Sequence, residues 1–347
     1  MAPGEKHEAP QPLHPSMAGK LDPVFEKLYN DNMANVPIQP IDLEKLRLNY
    51  SSMYSYSTAP APEAGRVYDT TFTLGSGEDI PLRVYEPDTK GPWPVHIDYH
   101  GGGWGLGDLE TEAHICKHIC KRANVVVIDV GYRLVPDVAF PAGITDSFAA
   151  LKYIYENGAD KFQIRPDSIS VGGVSAGACI ALILAHLARD SKIPLRLVAA
   201  GTPTIDDHAR FASPDEAPYE SIRENQFAPT LNWGRLSWFM KLKWASLPSE
   251  PEAHKAAREK IGWFANIFDA PDFTNLASTV VFTAGADPFR DEGELYGRKL
   301  VENGNVVTMR RFPGVPHPFM HMDKDLWQGR EFIEQMVRHI RLAHWDP

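Results

Sequence analysis

The stretch Ile169–Leu184, ISVGGVSAGACIALIL, decides the fold. A β-branched run stops at Gly172-Gly173, a lone serine stands among small residues, and a second apolar run starts at once. The first run reads as a buried strand and the second, Ala176–Arg189, as a buried helix. Gly173–Gly177 fits G-x-S-x-G between strand and helix, the context in which the motif presents a nucleophile. Only small residues fit a corner this tight, so the Ser175 hydroxyl stands clear at the C-terminal edge of its strand. Open sheets of this kind bind ligands at that edge. The first N–H groups of the helix then face developing negative charge. Taken alone, a glycine-rich corner with an incidental serine is the competing reading, and the rest of the chain weighs against it.

Outward from this corner, strand-like and helix-like segments alternate from about residue 66 onward. VYDTTFTL and IPLRVYEP flank Gly75–Gly77 and predict a hairpin. PVHIDYH, VVVIDVGY, SISVGGV, PLRLVAAGTP, STVVFTAGA and VVTMRRFP predict six further strands. EAHICKHICKRA, PAGITDSFAALKYIYENG, AGACIALILAHLARD, EGELYGRKLVENG and a segment from about Leu326 to Ala343 predict the helices between and after them. Gly158 reads as the stop of the second of these helices. Continuous apolar strands alternating with helices imply a mostly parallel α/β sheet covered on both faces.

Two regions break the alternation: residues 17–65, with the helical pieces LDPVFEKLYN and IDLEKLRLNY, and residues 206–268. Together they predict a helical cap over one end of a core built from 66–205 and 269–347. Residues 1–16, rich in proline and charge, read as a flexible leader without the apolar segment of a secretory signal.

The 347 residues carry 35 Lys and Arg against 45 Asp and Glu, a net charge of −10. An acidic chain without a basic stripe is a poor partner for nucleic acid or an anionic membrane. No apolar run approaches the roughly 20 residues of a bilayer span. Three cysteines, Cys116, Cys120 and Cys179, are too few and odd in number for a disulfide framework. The expectation is a cytoplasmic protein.

A serine nucleophile needs a base and an orienting acid. In sheets of this type the acid and then the histidine follow the serine along the chain. TAGADPFRD puts Asp287 at the end of one strand, and FPGVPHPF puts His317 in the loop after the last. Asp291 and His321 are the rival acid and base, each nearer the following helix. HGGGWGLGD, residues 100–108, supplies three glycines whose N–H groups can converge on an oxyanion. It lacks the Lys-Ser/Thr of a phosphate-binding loop. Gly102, Gly103 and the N–H of Ala176 are the expected donors.

HGGGW, YRLVPDVAFPAGITD, GVSAG, DPFRD and PGVPHPF, in this order and spacing, resemble the hormone-sensitive-lipase-like branch of the α/β-hydrolases. The resemblance runs from about Val95 to Phe319, and LDPVFEKL resembles the start of that family's N-terminal cap. It implies an α/β-hydrolase fold with an eight-stranded, mostly parallel sheet. It implies a triad of Ser175, Asp287 and His317, an oxyanion hole of Gly102, Gly103 and Ala176, and a bracing role for His100. No cofactor or metal is implied, and a homodimer through the last strand and helix is. The chain departs from the family at Val174 (usually Asp or Thr), Pro318 (often Gly) and Asp137 (usually Glu), none of them a triad member.

HICKHIC invites a metal reading, but on a helix His114 and His118 share one face while Cys116 and Cys120 share nearly the opposite one. One ion cannot collect all four, and no metal site is expected. Arg133 and Asp146 are expected to brace the loop between them. Asp98, in an apolar strand, requires a buried partner. The insertion is rich in aromatics, and Trp233, Trp238 and Phe239, with Trp104 and Phe319, are candidate pocket walls.

These readings converge on a serine carboxylesterase acting on a small-to-medium apolar or aromatic ester, with a secondary-metabolite acetate or lactone as one candidate. An amidase or acyltransferase would use the same triad. A non-catalytic small-ligand receptor would keep the fold, but such relatives replace the histidine, and His317 is present.

Overall fold

A computed structural model describes residues 12–36, 42–55 and 57–345. Eight strands form one sheet: β1 (Arg66–Thr73), β2 (Asp79–Glu86), β3 (Trp93–Tyr99), β4 (Val126–Val130), β5 (Ile164–Val174), β6 (Leu195–Gly201), β7 (Thr279–Ala284) and β8 (Val307–Phe312). Their order is β1-β2-β4-β3-β5-β6-β7-β8. The opening hairpin is antiparallel, β2 meets β4 antiparallel, and every later pair is parallel. Parallel strands need crossovers on the sheet faces, which explains why β3, β4 and β7 are buried along their whole length.

The helices are α1 (Pro23–Asn32), α2 (Leu43–Tyr54), α3 (Ala113–Ala123), α4 (Ala142–Phe162), α5 (Ala176–Asp190), α6 (Glu220–Glu224), α7 (Trp233–Trp244), α8 (Pro251–Ile261), α9 (Arg290–Glu302) and α10 (Trp327–Trp345). One face of the sheet is covered by α4, α5 and α9, through Ile144, Leu151, Ile180 and Leu300 among others. The other is covered by α3 and α10, through Ile115, Ile119, Phe332 and Ile340. Among the described residues no helix is long and apolar enough to cross a membrane.

The sequence places these elements closely, with instructive exceptions. Helix α4 runs through Gly158 to Phe162 and ends on Gln163 in the left-handed region at φ 53°. Gly158 is no stop. A Cβ there would lie 2.5 Å from Ile164 Cδ1, so the glycine lets the helix pass the start of β5. The leader expected over 1–16 falls mostly on residues 1–11, which lie outside the described residues. Its end is docked: the His14 ring stacks on Phe227 at 3.9 Å, and Met17 is buried. The brace between Arg133 and Asp146 is present as a fork, Nη2 to Oδ1 at 2.7 Å and Nε to Oδ2 at 2.9 Å.

Phe332 of α10 packs against Phe282, Phe312 and Phe319, with ring centroids 5.5, 6.1 and 5.7 Å away. Phe332→Ala should therefore cost about 3–5 kcal/mol of stability, the range for a large buried aromatic. A lower urea midpoint with an unchanged slope checks it.

Candidate active site

Ser175 sits where β5 gives way to α5, with φ 58° and ψ −116°, a backbone conformation that a serine rarely adopts. The surroundings force it. A Cβ at Gly173 or Gly177 would run into the Tyr99 carbonyl on β3, so strand and helix touch backbone to backbone here. Ser175 N–H donates to Gly201 O at 2.8 Å, tying the turn to β6.

Asp287 follows β7 and His317 follows β8, so the parallel sheet brings both to the edge that carries Ser175. His317 Nδ1 lies 2.7 Å from Asp287 Oδ2, and His317 Nε2 lies 2.8 Å from Ser175 Oγ. A carboxylate only accepts, so Nδ1–H donates to Asp287 and Nε2 is left to accept from the serine. Asp287 is fully buried, and its Oδ1 accepts from Phe289 N–H at 3.0 Å. The Phe289 ring stands edge-on to His317 at 5.3 Å. The two rivals are engaged elsewhere. Asp291 Oδ2 accepts from Ser221 N–H at 2.7 Å, and His321 lies 3.8 Å from Glu112, its pKa pulled down to about 4 by burial.

The glycine loop faces the serine from β3. Gly102 (φ 120°) adopts a conformation closed to other residues, and a Cβ there would strike the Leu106 carbonyl. Gly102 N–H and Gly103 N–H make no hydrogen bond among the described residues, and Ala176 N–H is a free first-turn donor. His100 donates from Nδ1 to Gly101 O at 2.7 Å and stacks on Tyr132, whose hydroxyl donates to His100 O at 2.7 Å. Arg47 of α2 reaches in from the N-terminal region, donating to Gly105 O and Val135 O at 2.9 Å each and to Asp137 at 2.7 Å.

Ser175 and His317 open on a cavity of about 550 Å³ walled by Trp104, Leu231, Leu236, Phe239, Met240 and Phe289, with Tyr50 and Arg235 at its margin. A smaller, more polar cavity of about 380 Å³ meets them from the other side, lined by Thr111, Glu112 and His321. Of the expected walls, Trp104 and Phe239 are in place; three are not. Phe319 is fully buried between Phe312 and Phe332. Trp233 packs at the base of α7 against its own cap neighbours, and Trp238 turns away to meet Phe239 edge-on at 4.9 Å. A helix shows one face to a cavity, and Phe239 and Met240 hold it. Behind Trp104, Lys243 is buried among the Trp104, Phe140 and Trp244 rings, its pKa lowered to about 8 by burial.

Sequence reasoning missed Arg47, Tyr50 and Glu112. Nothing local marks the first two, which act across more than fifty residues. Asp98 is buried as expected, 3.6 Å from His96, but its Oδ2 has no hydrogen-bond partner. It lies among acids instead. Burial, then Asp98, pushes Glu112 up to about 8, and the same causes push Asp129 far above the carboxylate range. Glu112 Oε1 accepts from Gly101 N–H at 3.3 Å, so this protonated carboxyl sits directly under the glycine loop. The three cysteines are free and buried.

Fold and site together define a hydrolase of the α/β type. A family model described as alpha/beta hydrolase fold matches residues 96–321. The chain is 33% identical over 334 residues to an AB hydrolase superfamily protein of Schizosaccharomyces pombe, spanning 92% of this chain and 93% of that one. It is 30% identical to the carboxylesterase NlhH of Mycobacterium tuberculosis, spanning 87% of this chain and 89% of that one. Among solved structures it resembles the thermostable carboxylesterase EstE1 from a metagenomic library. That match has a TM-score of 0.76 at 29% identity, covering 88% of this chain and 98% of the other. The chain belongs to the α/β-hydrolase family, in its hormone-sensitive-lipase-like branch.

Glu112 also yields a test. Its folded pKa lies above the unfolded value, so its contribution to stability is full below about 4.5 and is lost as pH rises through about 8. Glu112→Gln keeps the acceptor for Gly101 and cannot ionise. Its stability relative to the wild type should rise steadily between pH 5 and pH 8, read by urea unfolding at each pH; a difference that stays flat with pH would contradict the assignment.

Proposed function

We propose that this chain is a serine carboxylesterase for small-to-medium apolar or aromatic esters. It is a carboxylic ester hydrolase. Ser175 is the nucleophile, His317 the general base, Asp287 the acid that orients it, and Gly102, Gly103 and Ala176 N–H the oxyanion donors. One observation carries the reading: the chain Asp287–His317–Ser175, at 2.7 and 2.8 Å, opens on an apolar cavity beside three unengaged N–H groups.

Ser175 Oγ attacks the ester carbonyl as His317 Nε2 takes its proton, and Asp287 steadies the imidazolium. The carbonyl oxygen becomes an oxyanion at the glycine-loop donors, where each good donor is worth about 10²–10³ in rate. His317 then protonates the leaving alcohol, and water releases the acid from Ser175 by the reverse sequence. The cavity is lined mostly by apolar and aromatic side chains, as small-molecule sites are. Trp104 and Phe239 supply the apolar walls nearest the serine. Acetate esters and lactones of secondary metabolism fall within this class. Three free, buried thiols support action in a reducing cytoplasm.

The test is hydrolysis of a p-nitrophenyl ester series from acetate to dodecanoate. The wild type should favour short or medium acyl chains, and Ser175→Ala should lose on the order of 10⁶ in kcat, as triad nucleophiles do. A folded wild type inert on every ester, yet binding small apolar ligands, would overturn the reading in favour of a receptor. Within the series, Phe239→Ala should move the optimum to longer acyl chains, because its ring closes the cavity over Gly103; an unmoved optimum removes Phe239 from the acyl path.

A further inference from the structure

We propose that His114, His118 and Asp323 form a binding site for a divalent transition ion of the zinc type, linking α3 to the loop that carries His317. The spacing of the two histidines on α3 is i, i+4, which aligns them on one helix face and is the spacing of paired zinc-binding histidines on helices. What the sequence could not show is the third donor. Asp323 ends the turn Phe319–Met322, which begins two residues after His317, and its carboxylate faces that same side of α3. One donor atom from each of the three residues lies within 4.8 Å of the others. Small adjustments of the side chains bring such a set onto one ion.

The hydrogen bonding sharpens the point. Both ring nitrogens of His118 are buried without a hydrogen-bond partner among the described residues. His114 Nε2 lies 3.1 Å from Asp323 Oδ1, so these two donors already meet. The two rings stand 4.9 Å apart at 75°, so they do not stack face to face. Buried ring nitrogens ordinarily find partners. An unpartnered imidazole beside a His–Asp pair, with one donor atom from each residue within 4.8 Å, is what a ligand shell requires. Two nearby cations are paired, Arg122 with Glu334 and Lys117 with Glu63, which limits their repulsion of an incoming ion.

Two imidazoles and a carboxylate are a borderline nitrogen and oxygen set that suits zinc, with water completing a tetrahedron. Cys116 and Cys120 take no part, being buried on the opposite face of α3. Asp323 is already oriented, its Oδ1 accepting from Ala59 N–H at 3.0 Å. An ion here joins the helix that follows Glu112 to the segment that follows His317, and so stiffens both sides of the serine site without touching it.

The test is titration of the untagged full-length protein with Zn²⁺ by calorimetry and with Co²⁺ by visible absorption. The expected result is one Zn²⁺ per chain and the intense d–d bands of low-coordinate Co²⁺. His118→Gln and Asp323→Asn should each weaken binding by at least the roughly 10–100-fold that even outer-shell changes cost. His317→Gln should leave it unchanged, which separates this site from an ion trapped at the catalytic histidine. Zn²⁺ should raise the unfolding temperature of the wild type and not that of His118→Gln. Wild-type binding weaker than about 1 mM overturns the proposal without recourse to any variant. So does equal affinity in His118→Gln and Asp323→Asn, or loss of binding in His317→Gln.

Discussion

The structure depends on one backbone contact, the Tyr99 carbonyl of β3 pressed against Gly173 and Gly177 on either side of Ser175. No side chain fits between them. That contact lets β5 reverse into α5 within a single residue, and it holds Ser175 at φ 58°. The strained serine is sustained because β3, β6 and α5 over-determine its position. With the corner set, the hydroxyl projects from the sheet edge, the first N–H of α5 points the same way, and the strand ends carrying Asp287 and His317 fall within hydrogen-bond reach.

The glycine loop that faces this corner has little regular structure of its own, and the fold holds it from below and above. Below it lie Glu112, Asp98 and Asp129, a set of buried acids that would be untenable if all were charged. Burial and the neighbouring Asp98 push Glu112 and Asp129 toward their neutral forms, and Glu112 anchors the loop through Gly101. Above it, Arg47 of α2 reaches carbonyls on two loops at once. A guanidinium with several donors can serve both, where a lysine ammonium is a point charge. The N-terminal region therefore shapes the site by holding the loop that frames it, as well as by lending Tyr50 to the cavity wall.

The site was legible where chemistry and local order coincide. Ser175 announces itself by flanking glycines, Asp287 and His317 by their places just after strands, and Gly102 and Gly103 by a run that needs unusual dihedrals. The strands were legible because their apolar runs are short, rich in β-branched residues and bounded by glycine and proline, which favours strand over helix. Gly158 misled because a glycine near a helix end has two uses, stopping the helix or letting it pass a neighbour, and only Ile164 across the gap decides which. Phe319 misled in a similar way. Nearness to His317 along the chain suggested the cavity, while the fold buries the ring in the core between Phe312 and Phe332. The aromatics of α7 look alike in sequence, and only the face of the helix that meets the cavity chose Phe239 over Trp233 and Trp238.

By itself, then, the sequence determined the alternation of strand and helix, the strained corner, and the order of serine, acid and histidine. Each of these is a local pattern or a matter of chain order, set by sterics and hydrophobic period within a few residues. Tertiary structure alone decided which aromatics face the cavity, that Arg47 holds the glycine loop, that Glu112 keeps its proton, and that Asp323 meets His114 and His118. Those outcomes turn on distances and dielectric between segments far apart in the chain. A one-residue difference in register or a few degrees of helix rotation changes them while leaving every local pattern intact.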